Sequence, residues 1–141
     1  MGYTIFAKEI IISMDVGPDI RDITHEVHMA VKESRVRTGI ASLMVVGSTG
    51  SVTTIEYEPG VIEDLKDAVN RLAPPGMEYK HELAWHDGNG HSHVQAALLG
   101  PSLTVPVRRG GLVLGTWQQI VVCNHDNKAR QRRVEVTIIG E

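Results

Sequence analysis

The feature that most constrains this chain is its punctuation by glycine and proline. Breaks fall at Gly17-Pro18, Gly47-Ser48-Thr49-Gly50, Pro59-Gly60, Pro74-Pro75-Gly76, Gly100-Pro101 and Arg109-Gly110-Gly111. Each reads as a turn, because glycine admits positive φ and proline withdraws a backbone donor. The runs between them suit only strands and short helices. Tyr3–Ser13 is dominated by β-branched and aromatic residues and predicts a strand. Thr24 is placed to cap a helix with Glu26 in its first turn; Val27, Ala30, Val31 and Ser34 then share one face before Gly39. Ile40–Val46 and Ser51–Tyr57, joined by the glycine-flanked turn, predict a hairpin. Val61, Leu65, Ala68, Val69 and Leu72 trace a second helix. Ser102–Val107, Leu112–Asn124 and Gln131–Ile139 predict three further strands in an antiparallel meander. The expected fold class is α+β, mainly antiparallel sheet with two or three helices.

A length of 141 residues predicts one domain over the whole chain. A chain of that size can bury roughly 70% of its unfolded surface, so it needs neither disulfide nor metal merely to fold. Any metal would serve function. A net charge of -3 and an aromatic set of two Trp, three Tyr and one Phe argue against a nucleic-acid partner. The single cysteine, Cys123, lies in an apolar run and is expected as a buried thiol in a reducing cytoplasm. The first residues show no basic leader, and no stretch of about 18 apolar residues is long enough for a bilayer, so no membrane association is expected.

Four of the seven histidines fall within His81-Glu82-Leu83-Ala84-Trp85-His86-Asp87-Gly88-Asn89-Gly90-His91-Ser92-His93. Imidazole is a preferred ligand of zinc and related divalent ions, and His91-Ser92-His93 in a strand or extended loop presents two rings to one ion. Gly88 and Gly90 allow the turn that would bring His81 and Asp87 back towards them. His81, His91 and His93 are thus the metal candidates; His86, beside Trp85, ranks below them. Asp87 can ligate, orient a histidine or act as a general base, and Asn89 can equally be a turn former. The competing reading is a solvated polar loop.

Elsewhere, Glu56 and Glu58 flank Tyr57 at strand spacing, which puts two carboxylates on one face if the strand persists. Thr49, in its glycine-flanked turn, can offer an anion its hydroxyl and backbone. Gly115-Thr116-Trp117-Gln118-Gln119 places polar groups inside a long apolar strand, where they need partners across the sheet or on a ligand. The basic set Arg108, Arg109, Lys128, Arg130, Arg132 and Arg133 lies around the strand ends. Most are expected in solvent, with one or two, Arg130 among them, reaching a phosphate.

The runs His86 to His93, Leu98-Leu99-Gly100-Pro101-Ser102-Leu103-Thr104-Val105-Pro106 and Leu114-Gly115-Thr116-Trp117-Gln118-Gln119 resemble the YjbQ family. So do Thr54-Ile55-Glu56-Tyr57-Glu58-Pro59-Gly60 and the closing Arg133 to Glu141. The resemblance implies a mixed, mainly antiparallel fold assembled as a homotrimer. It implies a weak thiamine-phosphate synthase activity, joining a pyrimidine diphosphate to a thiazole phosphate, hence a small phosphorylated partner and a divalent metal, zinc or magnesium. By motif the implied site comprises His81, Asp87, Asn89 and His93, with Glu56, Thr116, Trp117 and Gln118 as neighbours. Many relatives carry a histidine before paired hydroxyl residues where this chain has Gly47-Ser48-Thr49-Gly50; His91 is the imidazole that can stand in. A non-enzymatic metal- or anion-binding trimer and a metal-dependent hydrolase are the alternatives.

Overall fold

The computed structural model describes residues 2–141. The chain runs β1 (Thr4–Met14), β2 (Asp19–Asp22), α1 (Thr24–Ser34), β3 (Gly39–Val46), β4 (Gly50–Glu56), α2 (Pro59–Leu72), α3 (Glu82–Trp85), α4 (Gly90–Leu99), β5 (Ser102–Arg108), β6 (Gly111–Leu112), β7 (Gln118–Asn124) and β8 (Arg130–Gly140). One sheet has the order β1-β8-β3-β5-β6 and the other β2-β7-β4. Every pairing is antiparallel. The α+β class stands, with four helices among the described residues, of which α3 is a single turn.

The pairing differs from the local reading. β3 and β4 form no hairpin; β3 pairs with β5 and β8, while β4 pairs with β7. The Gly47–Gly50 turn therefore carries the chain from one sheet to the other. The C-terminal strands form no meander either, since β7 joins the small sheet and β8 inserts between β1 and β3. The long run from Leu112 is interrupted, and ladder pairing resumes only at Gln118. His91-Ser92-His93 is not extended but forms the first turn of α4. Ile23, not Thr24, occupies the N-cap position of α1. The Thr24 hydroxyl instead donates to Asp22 and accepts from the Ile120 N–H, tying the helix start to β7.

The alternation of each strand decides what it buries. Ala41, Leu43 and Val45 of β3 and Val134, Val136 and Ile138 of β8 face inward. They meet Ile120 and Val122 of β7, while α1 contributes the expected face of Val27, Ala30 and Val31. A fully buried side chain such as Leu43 or Ile120 contributes on the order of 1.5–3 kcal/mol. On the other face of the small sheet, Ile20, Val121 and Cys123 pack beneath Ile62 and Leu65 of α2 and Leu99 of α4. Burial pushes the Cys123 thiol up to about 11, so it is un-ionised and unreactive at neutral pH. Among the described residues no helix is long and apolar enough to cross a membrane.

Candidate functional site

The segment from His81 to His93 is shaped by one carboxylate. Glu82 accepts from the Gly88 N–H at 2.6 Å and from the Gly90 N–H at 2.9 Å, which folds the intervening residues back over α3. Gly90 must be glycine here, because a β-carbon would stand 2.5 Å from that of Tyr79. Both oxygens of Glu82 are thereby committed to the backbone. The loop presents Asp87, whose Oδ1 lies 3.2 Å from His81 Nε2 and accepts from the Asn89 N–H at 3.1 Å. Partial desolvation raises the Asp87 pKa, but the Asn89 N–H and His81 outweigh it and hold the carboxyl below its usual range. Asp87 is therefore ionised at neutral pH. The His81 and His93 rings lie against each other at a tilt of 50°, with centroids 4.5 Å apart.

Across a polar cleft of about 570 Å³ stands a second wall made by the β3–β4 and β7–β8 turns. Asp126 accepts from Thr49 Oγ1 at 2.8 Å and pairs with Arg130 Nε at 3.0 Å. Its burial favours the neutral acid, but the donors Thr49, Arg130 and Asn89 prevail and keep it ionised. Asn89 is the bridge between the walls: its Oδ1 accepts from the Asn127 N–H at 3.1 Å and meets the Ser92 hydroxyl. A more apolar cavity of about 490 Å³ lies along Met77, Tyr79, Leu83 and His86; of the two acids that line it, Glu78 and Glu82, the second is already satisfied by backbone N–H groups.

Beneath the cleft runs a buried chain of hydrogen bonds. Gln95 Nε2 donates to Asn70 and to the Ala73 carbonyl, so its Oε1 must face His125 Nδ1 at 3.0 Å. Nδ1 therefore carries the proton, and Nε2 accepts from Ser51 Oγ at 2.8 Å. Burial, with Arg132 and His91 nearby, lowers the His125 pKa to about 4. Serine, histidine and amide in series evoke a nucleophilic relay. At 0%, 2% and 1% exposure, Ser51, His125 and Gln95 instead form a structural tie between β4, the β7–β8 turn and α4.

The structure brings together Thr49, His81, Asp87, Asn89, His93 and Arg130 around one cleft. His91 is not among its lining residues. It is buried, 3.3 Å from the Ser92 hydroxyl, and desolvation lowers its pKa against the pull of Asp126 and Glu82. His86 takes a left-handed backbone at the end of α3 and faces the apolar cavity. Glu56 pairs with Gln118 at the far end of β4, whereas Gly50 pairs with Asn124 beside the cleft. Six residues of strand place that end roughly 20 Å away. Trp117 lies there too, exposed and beside Glu56. Gln118 spends its side chain on Thr54 and the Gly115 N–H, and Thr116 is exposed in the turn before β7. Glu58 caps α2 through the Gly60 and Val61 N–H groups.

Local pattern reading missed Glu82, Gln95, Asp126 and His125, and it named Arg132 only within a basic set expected mostly in solvent, whereas the side chain is buried. One signal was present: Arg132 keeps step with Val134, Val136 and Ile138, which marks a charge on a core-facing register.

Residues 8–141 match the family described as UPF0047 protein YjbQ-like. A UPF0047 protein of Archaeoglobus fulgidus is 38% identical over 118 residues, covering 84% of this chain and 89% of that protein. One from Methanothermobacter thermautotrophicus is 31% identical over 137 residues, 97% of this chain and 94% of that one. The crystal structure of a YbjQ-like protein of unknown function from Sulfolobus solfataricus P2 superimposes with a TM-score of 0.94 at 33% identity, covering 99% of this chain and 100% of that chain. Matched along nearly its whole length in both sequence and fold, the chain belongs to the UPF0047 family of YjbQ-like proteins.

Proposed function

We propose that the cleft binds a small phosphorylated molecule together with a divalent cation and transfers or releases its phosphoryl-bearing group. The observation that carries this reading is the pairing of two walls: His81, Asp87 and His93 on one, Thr49 and Arg130 on the other. Imidazole and carboxylate suit a divalent ion, and guanidinium suits phosphoryl oxygens, while the Thr49 hydroxyl, its proton given to Asp126, holds the second wall in place. His81, Glu82 and Asp87 lie close enough to share an ion. Glu82 is engaged by two backbone N–H groups, so His81 and Asp87 are the first donors, and His93, whose ring lies at a tilt 4.5 Å from that of His81, is the third candidate. Two imidazoles and an ionised carboxylate fit zinc, with an open position for a ligand. An ion so held would offset the charge of a diphosphate leaving group.

The chain's own residues do the rest. Asp87, with its lowered pKa, is suited to orienting His81 and fixing charge rather than to donating a proton. The reaction to test is the one the family resemblance points to, formation of thiamine phosphate from a pyrimidine diphosphate and a thiazole phosphate. Asp87→Asn should lower its rate by about 10²–10⁴-fold without loss of fold. A His81→Ala, His93→Ala double variant should lose about one bound ion per chain by elemental analysis. Equal rates and equal metal content in wild type and variants would overturn the reading and favour hydrolysis or simple binding.

We further propose a homotrimer, the assembly the resemblance implies. The outward face of the large sheet carries the cross-strand row Ile5, Ile139 and Ile40, left open to solvent. An apolar sheet face of that kind calls for a covering partner. A stable monomer in sedimentation at micromolar concentration would refute it.

A further inference from the structure

Arg132 is the most deeply placed cation of the molecule, 5% exposed on the inward register of β8. Its Nε and Nη2 donate to Asn124 Oδ1 at 3.2 and 2.6 Å, and Nη2 also donates to Thr49 Oγ1 at 2.6 Å. Both partners are neutral. The nearby carboxylate, Asp126, is engaged by Thr49 and Arg130. A guanidinium withdrawn from water without a paired anion is expensive, because charge is tolerated inside a protein only when it is compensated.

The third nitrogen shows what is missing. Among the described residues, none of Arg132's hydrogen bonds uses Nη1. That nitrogen lies beneath Gly47, where φ is +137° and a β-carbon would stand 2.8 Å from it. Glycine at this turn keeps the Nη1 edge open, and Arg132 lines the same polar cleft as Thr49, Asn89 and Arg130. The side chain is thus fixed on one edge by neutral acceptors and left open on the other.

We infer that Arg132 is the anion anchor of the cleft, its Nη1 edge receiving a phosphoryl oxygen beside the Gly47–Gly50 turn. Arg130 supplies the second cation, at the solvent end. This rests on the phosphoryl-ligand reading above and adds to it the residue that holds the group. A planar guanidinium presents paired N–H donors that an ammonium cannot, so lysine is no substitute at such a position.

The test is phosphate and pyrophosphate binding by isothermal titration in EDTA, which separates anion binding from metal binding and from turnover. Wild type should bind both, and Arg132→Lys should weaken binding at least about tenfold. Because Arg132→Lys disturbs a buried network, Ser48→Glu provides an independent arm. Ser48 is exposed in the turn and lines the same cleft. A carboxylate there supplies the missing counter-charge from within the chain, abolishing phosphate binding while leaving phosphate-free thermal stability equal or higher. Absence of binding to wild type at millimolar anion, or wild-type affinity in the Ser48→Glu protein, overturns the inference. Phosphate binding that depends on Arg132 in a protein that neither holds metal nor forms thiamine phosphate would sustain the anchor and sink only the transfer chemistry.

Discussion

The two ends of the small sheet carry similar residue types and treat them in opposite ways. At the Gly50 end, Thr49, Ser51, Asn124, His125, Asp126 and Arg132 are buried and hydrogen-bonded to one another. At the Glu56 end, Glu56, Trp117 and Gln118 are exposed, Trp117 at 72%. Acids, amides and cations in solvent exchange one set of hydrogen bonds for another at little net gain. The same groups held out of water must be matched by partners, and an edge left unmatched becomes a request for a ligand. Proximity in sequence to a conspicuous motif therefore says less about a site than the fraction of its polar groups that are both buried and oriented.

The largest effect that separates the two ends is catalytic. Asp87→Asn should cost about 10²–10⁴-fold in rate, whereas Glu56→Gln should leave the rate unchanged. A comparable loss in Glu56→Gln would break the comparison and show that a neighbouring copy brings its Glu56 to the cleft.

The next effect is on pH dependence. His125 has a folded pKa of about 4 against an ordinary value of 6.5, so between these limits the unfolded chain binds a proton that the folded chain refuses. Stability should fall as pH drops from about 6.5 to about 4, by on the order of 3 kcal/mol from this group alone. Urea unfolding across that window should show a shallower acid loss in His125→Gln than in wild type. Parallel curves would mean that the ring is not held neutral.

The smallest contrast uses one substitution at both ends. Gln95→Leu removes the acceptor of the buried His125 Nδ1–H and should cost about 1–3 kcal/mol. Gln118→Leu breaks bonds that water replaces and should stay within about 0.5 kcal/mol. Equal shifts in urea midpoint would erase the distinction between the two ends.

Much of this architecture was legible from local pattern. The inward face of α1, the β-branched runs of β1, β3 and β8 and the buried Cys123 follow from spacing alone. The partners of those strands did not. The Gly47–Gly50 turn reads as a reversal, and it is one, but turn composition is silent on whether the next strand rejoins the same sheet. The first turn of α4 was obscured because His91, Ser92 and His93 alternate in a way that mimics a strand. The helix becomes apparent only from Asn89 at the cap position and the residues through Leu99 that continue it. Likewise, the recurrence of histidines drew attention to His91, yet a helix separates residues two apart by about 200°, so His91 and His93 diverge. His125, Asp126 and Arg132 come from a distant stretch and acquire meaning only against Thr49 and Gln95.

The position of β8 has a consequence for biosynthesis. It is the last strand of the described chain, yet it lies between β1 and β3, pairing with β1 from Thr4↔Gly140 to Met14↔Arg130. β7, also late, is the middle strand of the other sheet. During synthesis β1 and β3 emerge with neither able to close the large sheet, and they expose apolar edges until β8 arrives. Pairings that span nearly the whole sequence form slowly, since the closure entropy of a long loop must be met before any contact rewards it. The nascent chain is thus an open, edge-bearing species until β8 has been made, and it is at this stage that it most needs shelter from aggregation.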